Sequence, residues 1–317
     1  MSNCLCGTVI GNTGVPNCQT LLGVVYNKWM MPTYDSTGVK NYLDLTALQV
    51  AIDAGTTDAF FLALMNHADT SKRIYPTAAL KDVESSREDP NFQTFKDQST
   101  LFISQGVKNI KGFMPKASYT VLSKLGNYSC NEMSEFTLDR NGNLAGKRIL
   151  GDTTKMYPRM ITGFWDRGND ASADSNVQNV EINYSWNQNE FDADQIILVA
   201  GEVPTVDLTN YRGLVDVYMT VSSISTTGFT ATMTYSYGTA LTPVPYLGAV
   251  QADFETPLGN LYNDTDSANV TISTFTATNN VYAFTFAAET SADSLTLSSS
   301  KNGFDLSPIE VTKILIP

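Results

Sequence analysis

The residues of this chain that could do chemistry are few and scattered. Cys4, Cys6 and Cys18 form a Cys-x-Cys pair followed by a third thiol, a pattern that can be read as thiolate ligands. A structural zinc site takes four Cys or His ligands, usually in close pairs. The fourth cysteine, Cys130, is far away in sequence, and the only histidine, His67, ends an apolar helical stretch. The expectation is reduced, partly buried thiols and no metal. His67 stands where an imidazolium suits the C-terminal end of a helix dipole, and no Ser or Cys motif flanks it to make it a general base. Asp166, Asp170 and Asp174 recur at every fourth residue. A calcium loop wants oxygens at alternate positions, a central glycine and a closing glutamate, so this reads as a solvated loop. Asp192 and Asp194 imitate a paired-carboxylate site, but two acids at i and i+2 of a strand edge usually just face solvent. The chain lacks a Gly-x-Ser-x-Gly elbow, a His-Glu-x-x-His helix, a P-loop and a Rossmann fingerprint. The expectation is no catalytic, cofactor-binding or metal-ligating residue, and no enzyme.

The elements around these residues are mainly strands. Asn179–Asn187 places Val180, Ile182, Tyr184 and Trp186 on one face and polar residues on the other, as in a half-buried strand. Glu135–Leu144 reads as a hairpin with Asn141-Gly142 at its tip, where a type I′ turn needs positive φ at both central residues. Asp44 caps a helix over Leu45–Ala54 that Gly55 ends, and a second, apolar helix covers Ala59–His67. A short helix is expected over Ala117–Leu125. Lys81–Asp89 reads as a charged loop, followed by a strand at Thr100–Ile103.

Composition divides the chain. All three tryptophans and all four cysteines precede Val203; beyond it Ser and Thr abound and Lys and Arg shrink to Arg212, Lys301 and Lys313. Gly201–Thr205 has the composition of a linker. Strand-like runs then recur at Val215–Ser222, Gly228–Tyr237, Gly248–Glu255, Ala268–Thr276, Asn280–Ala287, Ser294–Ser300 and Ile309–Ile316, with turns at Ser225–Gly228, Thr256–Asn260 and Lys301–Gly303. This spacing suits an immunoglobulin-like β-sandwich without its disulfide. The expected organisation is an N-terminal arm and first strand over 1–40, a β-rich sandwich- or barrel-like assembly domain with flanking helices over 41–202, and the sandwich over 203–317.

With 42% apolar and 16% charged residues the chain is globular rather than disordered. No run reaches the ~18–20 apolar residues of a membrane span, and Met1–Gly7 has no basic or apolar signal region, so synthesis in a cytoplasm is expected. A net charge of −12 opposes wrapping of nucleic acid by its phosphates, while an acidic face lining a DNA passage would repel and lubricate.

The opening Met1–Gly7 with Gly11–Cys18 resembles the start of virion structural proteins of phages that infect Bacteroidetes. Arg73–Thr77, Glu84–Asp89, Lys108–Pro115 and Phe136–Leu144 have the same character. The resemblance covers the chain before Val203 and is to tail, neck-ring or hub components of crAss-like phages. It implies a virion protein without a cofactor, made in the host bacterial cytoplasm. Such a protein assembles as a closed ring of identical subunits around the DNA passage, in contact with other tail or portal proteins. Cys4–Asn17 and Lys81–Ser99 are then the candidate arms that wrap adjacent copies. The alternative is a carbohydrate-binding surface protein whose sandwich stacks sugars on Tyr235, Tyr237 and Tyr246.

Overall fold

The fold is taken from a computed structural model that describes residues 22–317, except 68, 116, 118, 150, 170–178, 239–242, 256–258, 300–303 and 306–313. It is mainly β, with three α-helices among the described residues. Two compact units divide between Arg212 and Gly213.

The N-terminal unit begins with β1 (Val25–Pro32) and β2 (Leu43–Asp44), then α1 (Leu45–Asp53) and α2 (Thr57–Met65). Next come β3 (Tyr75–Pro76), β4 (Lys81–Arg87), β5 (Asn91–Thr94), β6 (Thr100–Ser104), β7 (Lys108–Pro115), α3 (Tyr119–Leu125) and β8 (Met133–Asp139). The unit closes with β9 (Leu144–Lys147), β10 (Lys155–Met156), β11 (Arg159–Asn169), β12 (Asn179–Trp186) and β13 (Gln195–Leu198).

Nine of these strands share one sheet that branches at β8. One edge of β8 pairs with β1 along its length; the other pairs first with β11, through Glu135 and Arg159, then with β9. Beyond β11 the order runs β12, β7, β4. All seven residues of β8 are buried, so it is covered on both faces. On one face Trp29, opposite Phe136, packs edge-on against Phe61 of α2 and Tyr211. On the other, Met30 and Met133 join Ile161, Val180, Ile182 and Tyr184 in one core.

Local signals explain the ends of several elements. The Asp44 carboxylate accepts from the Thr46 and Ala47 N–H groups, each at 2.9 Å, satisfying two otherwise orphaned donors of α1. The β8–β9 turn differs from expectation: only Gly142 takes positive φ (80°), Asn141 does not, and Asp139 N bonds Asn143 O at 3.0 Å. This is a three-residue loop with glycine at the left-handed position. The buried Asp139 carboxylate selects it, accepting from the Asn141 and Asn143 amides at 2.8 Å.

Two other expectations are corrected. Lys81–Arg87 is a strand, not a loop; it pairs β7 and leaves its side chains largely exposed, as suits a charged sheet edge. Gly201–Thr205 is not a linker, since Val203 is fully buried and the Ala200 N–H donates to Asn143 Oδ1 at 3.0 Å.

The C-terminal unit contains β14 (Val215–Ser225), β15 (Gly228–Gly238), β16 (Pro243–Pro245), β17 (Gly259–Asn263), β18 (Ala268–Val270) and β19 (Ile272–Thr278). After these come β20 (Val281–Phe286), β21 (Ser294–Ser299), β22 (Phe304–Asp305) and β23 (Ile314–Leu315). One sheet runs β19-β20-β15-β14-β22, with β16 on β15; the other runs β18-β17-β21-β23. Read as A to G, the order is D-E-B-A on one sheet and C′-C-F-G on the other, the immunoglobulin arrangement. Both sheets feed one core, with Val217, Phe229 and Phe284 from the first and Leu261, Leu297 and Ile314 from the second. Gly248–Glu255, expected as a strand, contains instead a 3-10 turn over Gln251–Phe254, begun by the Asp253 carboxylate accepting from Val250 N. Of the expected Thr256–Asn260 turn, Gly259 and Asn260 belong to β17 and 256–258 lie outside the described residues, as does the Lys301–Gly303 turn.

Candidate functional site

A cluster of charge in the N-terminal unit is sealed inside it. Lys28 of β1 and Glu135 of β8 pair at 3.2 Å, with side chains 3% and 0% exposed. Lys28 Nζ also donates to Thr137 Oγ1 at 2.7 Å. From β12, Trp186 Nε1 donates to Glu135 Oε1 at 2.7 Å, and the Tyr184 hydroxyl donates to Oε2 in a short bond. One carboxylate therefore joins three strands. Burial pushes the Lys28 ammonium below its usual value, against the pull of Glu135. Arg159 lies over the Trp186 ring at 4.3 Å and donates to the Phe191 carbonyl at 2.8 Å, while Lys147 and Glu190 pair at 3.0 Å. Groups so enclosed are out of reach of a substrate; what this arrangement does is tie β1 and β12 to β8 through one carboxylate.

It also sets a response to alkali. Burial, then the Glu135 charge, pushes the Tyr184 phenol well above 10.0. Burial does the same for Tyr128, and burial with Asp58 for Tyr211. The folded state thus keeps protons that unfolded phenols lose above pH ~10, so this stability is complete below that pH and is lost above it. The melting temperature is expected to hold to about pH 9.5 and fall beyond ~10. Tyr184→Phe should lower the stability at neutral pH, by about 1.5–3 kcal/mol for a bond to a charged acceptor, and should flatten the alkaline fall. An unchanged alkaline slope would remove Tyr184 from this account.

Among the described residues, those singled out from sequence are not brought together. Cys4, Cys6, Cys18, Asp170 and Asp174 lie outside the described residues. Cys130 is a free thiol but exposed rather than partly buried. His67 falls past the end of α2, with Nδ1 accepting from the Asp69 N–H at 3.1 Å. Asp166 sits in β11 rather than in a loop. Asp192 is held by Arg87 at 3.0 Å and Lys108 at 2.9 Å; burial raises its pKa, but these two cations outweigh it and the net shift is downward. It anchors β4 and β7 rather than pairing with Asp194. Tyr246 is buried and Tyr235 half-buried against the sandwich core, their rings edge-on at 5.3 Å; the side chain of Tyr237 is outside the described residues. The two described tyrosines offer no flat exposed platform.

The chain matches no known family, curated protein or solved structure.

Two surface features escaped the sequence reading. In the C-terminal unit, carboxylate oxygens of Asp266, Glu289 and Asp293 lie within 4.8 Å of one another. The buried Asn263 amide reaches all three, at 3.3, 2.8 and 3.1 Å, and its oxygen accepts from the Thr265 and Asp266 N–H groups. In the N-terminal unit, the β5–β6 hairpin carries Phe92, Phe95, Leu101, Phe102 and Ile103 between 45% and 58% exposed. Phe92 faces Phe102 across the hairpin with ring centroids 5.8 Å apart. An isolated two-stranded hairpin is marginal in water, and clustered exposed aromatics mark contact surfaces. The run Thr100–Ile103 was expected as a strand; nothing in it announced that both faces stay wet.

Proposed function

We propose that this chain is a structural subunit that assembles with copies of itself. The observation that carries the reading is the β5–β6 hairpin, an apolar surface that the described chain leaves uncovered. Between Asn91 and Ser104 the only charges are Lys96 and Asp97, so the hairpin is neutral on a chain of net charge −12. Two like-charged copies repel except where a neutral, apolar surface lets them meet. The occupant is therefore a second copy, and where copies meet head-to-tail the contact closes into a ring or runs on as a tube. The resemblance to phage tail, neck-ring and hub proteins supports placing such a ring in a virion, around the DNA passage and against other tail or portal proteins. The acidic balance supports a conduit that does not grip DNA. Among the described residues no helix is long and apolar enough to cross a membrane.

Mass photometry of the purified full chain, with negative-stain images of the same sample, tests this. Discrete multiples of the 34.6 kDa subunit mass, imaged as rings or short tubes, are expected. A monomer at every concentration would overturn self-assembly through the hairpin.

A further inference from the structure

We propose that the outer face of the β11-β12-β7-β4 sheet is a binding cleft for a neutral saccharide, centred on Trp165. This goes beyond the assembly reading and uses a different surface.

Trp165 is the exposed tryptophan, at 47%, against 0% for Trp29 and 5% for Trp186. A simple alternation starting from the buried Ile161 would send Trp165 inward. Instead the β11–β12 register slips between Thr162 and Trp165, and Gly163 takes φ +60°. After the slip Phe164 points inward and stacks on Tyr184 at 5.9 Å, and Trp165 turns out. Nothing lies within 4 Å of a side chain built at Gly163, so it is the left-handed backbone, not crowding, that calls for glycine there. Bulges of this kind re-aim a side chain and are frequent beside binding sites.

The residues beside the indole are set by the ladder. Trp165 is opposite Asn183, Asn183 opposite Lys111, and Lys111 opposite Glu84. The next row joins Ser185 and Asn109. Together they line an open cleft of about 320 Å³, at the small end of ligand sites. The side chains hold one another in place: Asn183 Nδ2 donates to Glu181 at 2.8 Å, Lys111 pairs with Glu181 at 3.3 Å, and Ser185 Oγ donates to Asn109 Oδ1 at 2.6 Å.

An exposed indole offers a flat apolar face with an N–H at its edge. Amide, hydroxyl, ammonium and carboxylate groups beside it offer both donors and acceptors. A pyranose presents the complement, an apolar C–H face ringed by hydroxyls that each donate and accept. Lys111 is neutralised by Glu181, so the cleft has no excess positive charge for a phosphate or nucleic acid. A neutral sugar fits better than either.

The test uses the full chain, Trp165→Ala and Asn183→Ala, both changes on an exposed face whose folding is checked by melting temperature. The probes are cellohexaose, maltohexaose, laminarihexaose, mannohexaose and chitohexaose, followed by a printed array of neutral glycans, with affinities measured by calorimetry. At least one glycan is expected to bind saturably, with affinity reduced about tenfold or more in Trp165→Ala, a change of ~1.4 kcal/mol, and less in Asn183→Ala. No binding to any glycan, or binding unchanged in Trp165→Ala, would overturn the proposal. Mass photometry of Trp165→Ala, expected to match the unmodified chain, keeps its failure distinct from failure of the assembly reading.

Discussion

Glu135→Ala is expected to destabilise the N-terminal unit by about 3–5 kcal/mol, the cost of breaking a buried ion pair from one side. The loss is large because three donors converge on that carboxylate: the Lys28 ammonium, the Tyr184 hydroxyl and the Trp186 N–H. All three would remain buried, and Lys28, already pushed down by burial, would lose the charge that supports its protonated form. For a unit of this size the melting temperature should fall by about 6–20 °C, at ~2–4 °C per kcal/mol. Tryptophan fluorescence isolates the effect, because Trp29, Trp165 and Trp186 all lie before Arg212 and the sandwich contributes no signal. The triple change Lys28→Met, Glu135→Leu, Tyr184→Phe should recover much of the loss, since apolar groups of similar volume replace buried charge at little cost. A Glu135→Ala protein melting within about 2 °C of the unmodified chain would show the seam to be worth less than ~1 kcal/mol.

That seam was not legible in the sequence, for a physical reason. Lys28 is the one charged residue of β1 and Glu135 one of two acids in β8, 107 residues apart, and nothing local says that they meet. What was legible obeys local rules. The alternation at Asn179–Trp186 is realised residue by residue, and the Asp44 cap forms as its position dictates. The strand spacing beyond Val215 matched the sandwich, because strands such as β20 and β21 have one wet face and one dry. The errors fall where that condition fails. Lys81–Arg87 has no dry face, so it carries no period and reads as a loop. Gly248–Glu255 contains apolar residues at strand-like spacing, yet its Asp253 side chain turns the backbone. Trp165 is misplaced by any count that ignores a register slip, and only Gly163 hints at one. Val203 and Tyr211 were assigned to a linker and a second domain by composition, but their burial ties them to the first unit.

Replacing Phe92 and Phe102 together by serine is expected to dissolve the assembly while leaving the subunit folded. Each side chain is already more than half exposed, at 57% and 52%, so the isolated subunit has little to lose. Its stability should change by no more than surface substitutions usually produce, about 0.5 kcal/mol each. Covering the exposed half of each ring in a contact would contribute ~0.8–1.6 kcal/mol each, so their loss should weaken each contact by roughly one to two orders of magnitude. Salt distinguishes this from an interface held by ion pairs. Copies of charge −12 repel, and raising NaCl from about 0.05 to 0.5 M shrinks the screening length while leaving apolar contact intact. Assembly should therefore tighten with salt, where a contact made by charge pairs would loosen. The hairpin itself should survive, because its root is tied to the sheet: Arg87 donates to the Gly106 carbonyl at 2.8 Å and pairs with Asp192 at 3.0 Å, and the Glu88 N–H donates to Val107 O at 2.9 Å. Analytical ultracentrifugation across concentration and salt reads both effects at once. A double variant that assembles as strongly as the unmodified chain, or assembly that weakens as salt rises, would place the contact elsewhere and leave the exposed phenylalanines without this role.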